Sequence, residues 1–339
     1  MLANIDSASE IASRPNQVLR FRNLAWLFLP FLLWWALRDV SIHQVWQTLG
    51  QLSPTGLLAL AGINIAILCL FSSRWWLILR NQGYRLPYFS LVGYRLAAFG
   101  VTYFTPGPQL GGEPLQVYLL HRRQRVPLDT AVSSVTLDKL LELLANFTFL
   151  LLGVSTVLAS GYWSGPGRFQ AVIGAVLLLA GPAGYLLALY WGKHPVSWML
   201  ARITRLAGRG RLWAKFQALS AAAETQAAEF CRQHPAALLK AMLLSALVWV
   251  GLIAEFGLAL RFFGLDLDLS QVVVVLTAAR VAFLLPVPAG LGALEAGQVL
   301  AMQALGINPA VGIGLSLLIR SRDIIFGGLG LWWGGLQSR

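Results

Sequence analysis

The sequence predicts an all-α polytopic membrane protein, with about six full spans and two re-entrant helical hairpins forming an inverted repeat. Three observations carry that prediction. Of 339 residues, 57% are hydrophobic and 12% charged, with a mean hydropathy of +0.66; soluble domains carry about 25% charged residues. Several apolar runs reach the roughly 20 residues that a bilayer crossing takes. Two more apolar regions are interrupted by proline and glycine, each with one acid at the break.

Full spans fall near 22–38, 54–80, 128–159, 167–192, 236–262 and 309–335, within one transmembrane domain, 22–335. Residues 1–21 are expected to form a cytoplasmic N-terminal segment. The first run has no small-x-small cleavage site behind it, so it reads as an anchor and not a signal peptide. The net charge is +12. With Arg14, Arg20 and Arg22 cytoplasmic, the inside loops hold Arg80, Arg85, Arg122, Arg123, Arg125 and the run 193–240. The outside loops hold Arg38, Arg168 and Arg261, with Asp266 and Asp268 beside the last. That bias puts both termini in the cytoplasm of a bacterial or archaeal cell and accounts for the charge without nucleic acid. Trp75, Trp76, Trp163, Trp191, Trp332 and Trp333 mark span ends as interfacial anchors.

The largest polar stretch is 193–234. Arg202, Arg205, Arg209, Arg211 and Lys215 interleave with Trp198, Ile203, Leu206, Trp213 and Phe216 at helical spacing. Amphipathic helices on the inner leaflet are expected. Their basic residues are either a plain positive-inside bias or a patch that gathers anionic headgroups. Cys69 and Cys231 are the two cysteines, one mid-span and one in a basic loop. Neither a disulfide nor a metal cluster is expected from them, and no cofactor is implied.

The hairpin regions are about 89–121 and 270–305. In the first, helices over 91–105 and 114–121 would be about 22 Å and 12 Å long, short of a core of about 30 Å. Pro106, Gly107 and Pro108 cannot continue a helix. The chain is therefore expected to turn at mid-depth and return, and irregular backbone there needs protein or a wet cavity around it. Gly111 and Gly112 complete that turn; Pro286, Pro288, Gly290 and Gly292 form the second. "PGPQLGGE" ends on Glu113 and "PAGLGALE" on Glu295. Each frame follows an arginine, Arg95 or Arg280, and precedes a span bearing charges. These are Asp138, Lys139 and Glu142 in one, and Arg320, Arg322 and Asp323 in the other. Three full spans between the frames would put the second hairpin on the opposite face, as in secondary transporters.

Glu113, Asp138, Glu142, Glu255, Glu295 and Asp323 all fall in apolar regions, as do Arg74, Arg95, Lys139, Arg280, Arg320 and Arg322. At roughly 2.5–3.5 kcal/mol each on insertion scales, they must pair or line water. Glu113 and Glu295 read either as coupling carboxylates or as caps for backbone N–H groups at the break. The second half-helix, with Pro114 in its first turn, would aim free N–H groups at an anion such as a lipid phosphate. Arg95, Arg280, Arg320 and Arg322 either contact phosphate or pair with the acids. Arg74, beside Trp75 and Trp76, is expected to snorkel to the interface. Glycines 327, 328, 330, 334 and 335 permit close helix packing, within the chain or between chains.

The segments "YFTPGPQLGGEPLQVYLL", "VTLDKLLELL" and "PVPAGLGALE", in that order and spacing, resemble the lysylphosphatidylglycerol synthase transmembrane region, or flippase-like, family over about 20–335. The resemblance implies a lipid-translocating domain with two re-entrant hairpins. It puts Glu113, Asp138, Lys139, Arg280, Glu295 and the glycine-rich turns at motif positions. Ala289 and Ala293 depart from it, standing where glycine is common. The synthases carry a soluble transferase domain after the membrane part. This chain stops at Arg339, so it is not expected to make aminoacyl lipid itself.

Translocation of an anionic or modified lipid is therefore the expected function, with membrane lipids as partners. A noncatalytic scaffold for a lipid-modifying enzyme is the second reading. A membrane enzyme is the third: there is no nucleotide loop, no HExxH and no Ser-His-Asp pattern, and His43, His121, His194 and His234 all lie near loops.

Overall fold

The computed structural model describes residues 54–104, 111–163, 165–207, 211–285 and 290–338. The predicted span 22–38 and the turn residues Pro106, Gly107, Pro108, Pro286 and Pro288 lie outside them. Eleven α-helices and no strand occur among the described residues. In chain order they are α1 (Pro54–Asn81), α2 (Tyr88–Phe104), α3 (Glu113–Arg123), α4 (Leu128–Ala159), α5 (Arg168–Tyr190) and α6 (Pro195–Ala207). Then follow α7 (Arg211–Gln233), α8 (Pro235–Phe262), α9 (Leu269–Leu284), α10 (Ala293–Ala304) and α11 (Pro309–Ser338).

Local chemistry explains the boundaries. Pro54, Pro195, Pro235 and Pro309 each open a helix, where the missing N–H costs nothing. Gly264 and Gly306 follow α8 and α10 in the left-handed region, at φ +72° and +70°, which glycine adopts without a Cβ penalty. At the start of α9, the Asp268 carboxylate accepts from Gln271 N while Gln271 returns a bond to Asp268 N. That reciprocal cap satisfies two otherwise orphaned donors.

Helices α1, α4, α5 and α8 have the length and apolarity to cross a membrane. The chain is thus an all-helical polytopic membrane protein. Helix α11 has 30 residues but carries Arg320, Arg322 and Asp323 midway. Helices α2, α3, α9 and α10 are short, about 25, 16, 24 and 18 Å. Each consecutive pair folds back as an antiparallel hairpin. In the first, Gly112 N donates to Thr102 Oγ1 (2.9 Å) near the tip, and Gln124 Nε2 to Tyr94 Oη (2.9 Å) at the open end. In the second, Gln298 Nε2 donates to the Val275 carbonyl (3.0 Å), and Gly297 lies over Ala278.

The packing comes in matched sets. Helices α1 and α8 run antiparallel, with Ile67 against Gly251 and Asn64 against Glu255. The first hairpin's α2 packs on α11, the long helix of the second half; the second hairpin's α9 packs on α4, the long helix of the first. Helices α3 and α10 pack on α4 and α11 of their own halves. Three of the crowded C-terminal glycines serve contacts within the chain. Gly330 sits on the Leu96 carbonyl, Gly327 on Phe104, and Gly334 on Ala97. Small residues let two backbones approach where lipid provides no hydrophobic drive.

The segment 193–234 folds as α6 and α7. Val196, Met199 and Ile203 lie on one exposed face of α6. Buried Glu224 of α7 accepts from Val196 N (2.9 Å), Ser197 N (2.8 Å) and Tyr185 Oη (3.0 Å), tying the start of α6 to α5 and α7. Ala227, Phe230 and Cys231 pack against Leu137, Leu140 and Leu141 on α4. Burial pushes the Cys231 thiol up to about 11.

Two expectations are corrected. Trp75 is no interfacial anchor: it is buried, and its Nε1 donates to Ser134 Oγ (3.4 Å). Arg74 does not snorkel. It is 1% exposed and meets acids on α4. Its partners lie 64 and 68 residues away, so the neighbouring tryptophans gave the wrong context.

Candidate functional site

The twelve charges predicted to lie in apolar regions gather into two clusters. In the first, Asp138 and Glu142 stand one turn apart on α4 and therefore share a face. Arg95, from α2, bridges them: Nη1 meets Asp138 Oδ2 at 2.5 Å and Nη2 meets Glu142 Oε2 at 2.7 Å. Arg74, from α1, reaches Asp138 Oδ1 at 2.7 Å and Glu142 Oε2 at 3.4 Å, and donates to Ser245 Oγ on α8 at 3.0 Å. Phe71 lies under both guanidinium groups, 5.3 Å from Arg74 and 4.6 Å from Arg95. Lys139 joins Glu142 (2.8 Å) to Glu113 (3.1 Å) at the hairpin tip.

Glu113 bonds a backbone N–H at the break, as its capping reading expected, and also pairs with Lys139. One oxygen takes Lys139; the other accepts from Gly111 N at 2.8 Å. Thr102 takes Gly112 N. The N–H groups of these two glycines, just before the second half-helix, are therefore satisfied within the chain.

In the second cluster Glu295, at the other hairpin, pairs with Arg320 of α11 at 2.5 Å, and Arg320 also donates to the Gly290 carbonyl at 3.2 Å. Arg322 pairs with its neighbour Asp323 at 2.8 Å and with Glu255 of α8. Asn64 of α1 donates to Glu255 Oε1 at 3.0 Å. Arg280 of α9 behaves differently. Its guanidinium stands 5.0 Å over the Trp249 ring. Among the described residues it has no carboxylate partner, and its buried Nε has no acceptor.

A cavity of about 280 Å³ lies between the clusters. Arg95, Glu113, Asp138, Lys139, Glu142, Arg280, Arg322 and Asp323 line it, with Gly112 and Gly290 from the hairpin tips. Leu96, Phe99, Leu252, Phe256 and Phe326 complete an apolar wall. Glu255, Glu295, Arg320, Gly111 and Gly292 do not line it. Glu295 and Arg320 instead hold the second tip in place. A further cavity of about 410 Å³ shares Phe71, Lys139, Glu142, Leu252 and Arg280 with the first. No three His, Cys, Asp or Glu side chains converge for a metal ion among the described residues. The site offers fixed charges beside apolar walls, suited to an amphiphile carrying charge at one end.

Sequence reasoning missed Asn64, Thr102, Ser245 and Trp249. Asn64, an amide inside an apolar span, carried a readable signal: such a group needs a partner in lipid. Trp249 carried none, since an aromatic in a span is ordinary.

The chain is similar to two proteins of the archaeon Methanothermobacter thermautotrophicus, each described as a UPF0104 membrane protein. One is 24% identical over 287 residues, covering 82% of this chain and 83% of that protein. The other is 28% identical over 132 residues, covering 39% of this chain and 36% of that protein. No solved structure matches. Residues 24–329 match the family described as Lysylphosphatidylglycerol synthase TM region. With most of its length inside that match, the chain belongs to the lysylphosphatidylglycerol synthase transmembrane-region family.

Proposed function

We propose that this protein moves a lipid with an anionic or modified headgroup across the bilayer, leaving the lipid chemically unchanged. The headgroup passes through the polar cavity while its tails stay in the surrounding lipid. In this reading the two hairpins are re-entrant: they dip from opposite faces and meet near mid-depth, and both termini are cytoplasmic. The observation that carries it is a cavity lined by charges from both halves of the chain, with the two hairpin tips at its wall. Such charges are costly in hydrocarbon and mark a pathway when they line a cavity. Membership of a lipid-related membrane family agrees with it. The basic face of α6 and α7 would collect anionic headgroups at the inner leaflet.

The test is a dithionite-quench assay in proteoliposomes containing fluorescent phosphatidylglycerol. Accelerated loss of the protected signal over protein-free vesicles is expected, and Arg95→Gln should remove it. No acceleration with phosphatidylglycerol or a polyprenyl phosphate would overturn the reading. A mass change in the lipid after incubation would favour an enzyme instead.

A further inference from the structure

We infer that Arg280 is the docking cation of the cavity, and that the group it takes is a phosphate anion, in the setting of the transport reading above a lipid phosphodiester. The repeat supplies an internal control. Arg95 and Arg280 each lie on the first helix of a hairpin, facing the charged turn of a long helix. Arg95 finds two carboxylates there. At the corresponding place Asp323 is already held by Arg322, and Arg322 also takes Glu255. Glu295 is held by Arg320. Each acid of the second cluster thus has an arginine, although one buried oxygen of Glu255, Oε2, stays without a donor, and Arg280 is left outside every ion pair among the described residues.

A guanidinium with no ion pair among the described residues, and a buried Nε without an acceptor, is unusual in this setting. Buried polar groups almost always have partners, and buried charges are paired unless a ligand completes them. The Trp249 face beneath Arg280 stabilises a cation without neutralising it, so the positive charge stays available. Phe149 stacks on the same indole, at 4.0 Å between ring centres, and helps to fix its position. Arginine fits phosphate oxygens with paired donors. Its position suits a group in passage, because Arg280 lines both cavities where they share a wall. A headgroup on either side meets the same cation.

The inference rests on the transport reading, so its test uses separate readouts. The purified full chain is treated with phenylglyoxal, which modifies free guanidinium groups, and each arginine peptide is quantified by mass spectrometry. Arg280 should react readily, while ion-paired Arg95 and Arg320 stay slow. Dihexanoyl phosphatidylglycerol at about ten times its dissociation constant should slow Arg280 about tenfold, and dihexanoylglycerol, lacking phosphate, should not. Equal protection by inorganic phosphate would keep the anion site and assign it to free phosphate. An inert Arg280, or one protected equally by dihexanoylglycerol, overturns the inference. The melting temperature in detergent gives a second arm. Arg280→Gln should melt no lower than the wild type, because it removes an unpaired charge; a large drop would show a hidden structural partner and overturn the inference. Transport with an unprotected Arg280 sinks this proposal alone. Protection without transport sinks the translocation reading and leaves the anion site standing.

Discussion

The two hairpin regions use the same parts and balance them differently. Each brings three basic and three acidic side chains to the core: Arg74, Arg95 and Lys139 with Glu113, Asp138 and Glu142, against Arg280, Arg320 and Arg322 with Glu255, Glu295 and Asp323. The preceding span contributes a base in one half, Arg74, and an acid in the other, Glu255. In the first half that base joins Arg95 on a pair of carboxylates. In the second, the acid draws Arg322, and Arg280 is left without an ion pair among the described residues. Equal charge counts therefore conceal a closed network and an open one. The difference teaches that net balance in a membrane core says little about availability; the order of pairing decides which charge remains for a ligand.

The largest expected effect tests that contrast directly. Arg95→Gln leaves Asp138 and Glu142 short of a partner in a buried site, and such a break costs about 3–5 kcal/mol. Its melting temperature in detergent should fall well below that of Arg280→Gln. Equal falls would erase the distinction between the halves. Next comes the helix contact that each hairpin makes with the opposite long helix. A side chain at Gly330 would strike the Leu96 backbone carbonyl, and one at Gly153 the Thr277 side chain. Gly330→Val should cost about 1–3 kcal/mol by overpacking, and Gly153→Val less, since a side chain can yield where backbone cannot. Gly328, with open space around it, serves as the control: Gly328→Ala should stay within about 0.5 kcal/mol. Thermal scans of the three variants give the order.

A smaller effect sits in the open network. Asn64→Leu removes a hydrogen bond to Glu255, worth about 1.5–3 kcal/mol for a charged acceptor before the gain from the larger apolar side chain. It should also raise phenylglyoxal reactivity of Arg322, whose partner loses its anchor. The smallest effect is at the start of α9. Bonds from Gln271 N and the Ser270 hydroxyl hold the Asp268 carboxyl below its usual range. Because the folded value is depressed, the cap is fully present above the unfolded carboxylate value and is lost as pH falls through the folded one. The protection of the Gln271 amide, measured against its intrinsic exchange rate at each pH, should fall over that acidic window, and in Asp268→Ala it should be low at every pH. The start of α2 carries no acid in its first turn and should show no such step.

Much of the architecture was legible in the sequence. The spans near 54–80, 128–159 and 236–262 match α1, α4 and α8 to within a residue or so, because length and apolarity are local properties and prolines mark the starts. The broken regions were readable for the same reason: Pro106, Gly107 and Pro108 in one, and Pro286 and Pro288 with Gly290 and Gly292 in the other, argue against one long helix. The twelve core charges were visible as costly residues that must meet. Which residues met was not visible. Arg74 was misread because its partners lie on helices far along the chain. The part played by Thr102 was equally hidden: it takes the N–H of Gly112, ten positions away, just before the second half-helix.

By itself the sequence determined that the chain is a helical membrane protein, where its helices start and break, and that its core charges must pair or line water. Hydrophobic length, proline geometry and the cost of charge in hydrocarbon act on each segment separately. Only the tertiary structure decided that Arg95 is locked between two acids while its repeat partner Arg280 rests on an indole between two cavities. Pairing is a competition among groups brought together from distant segments, and its outcome depends on distances that no single segment carries.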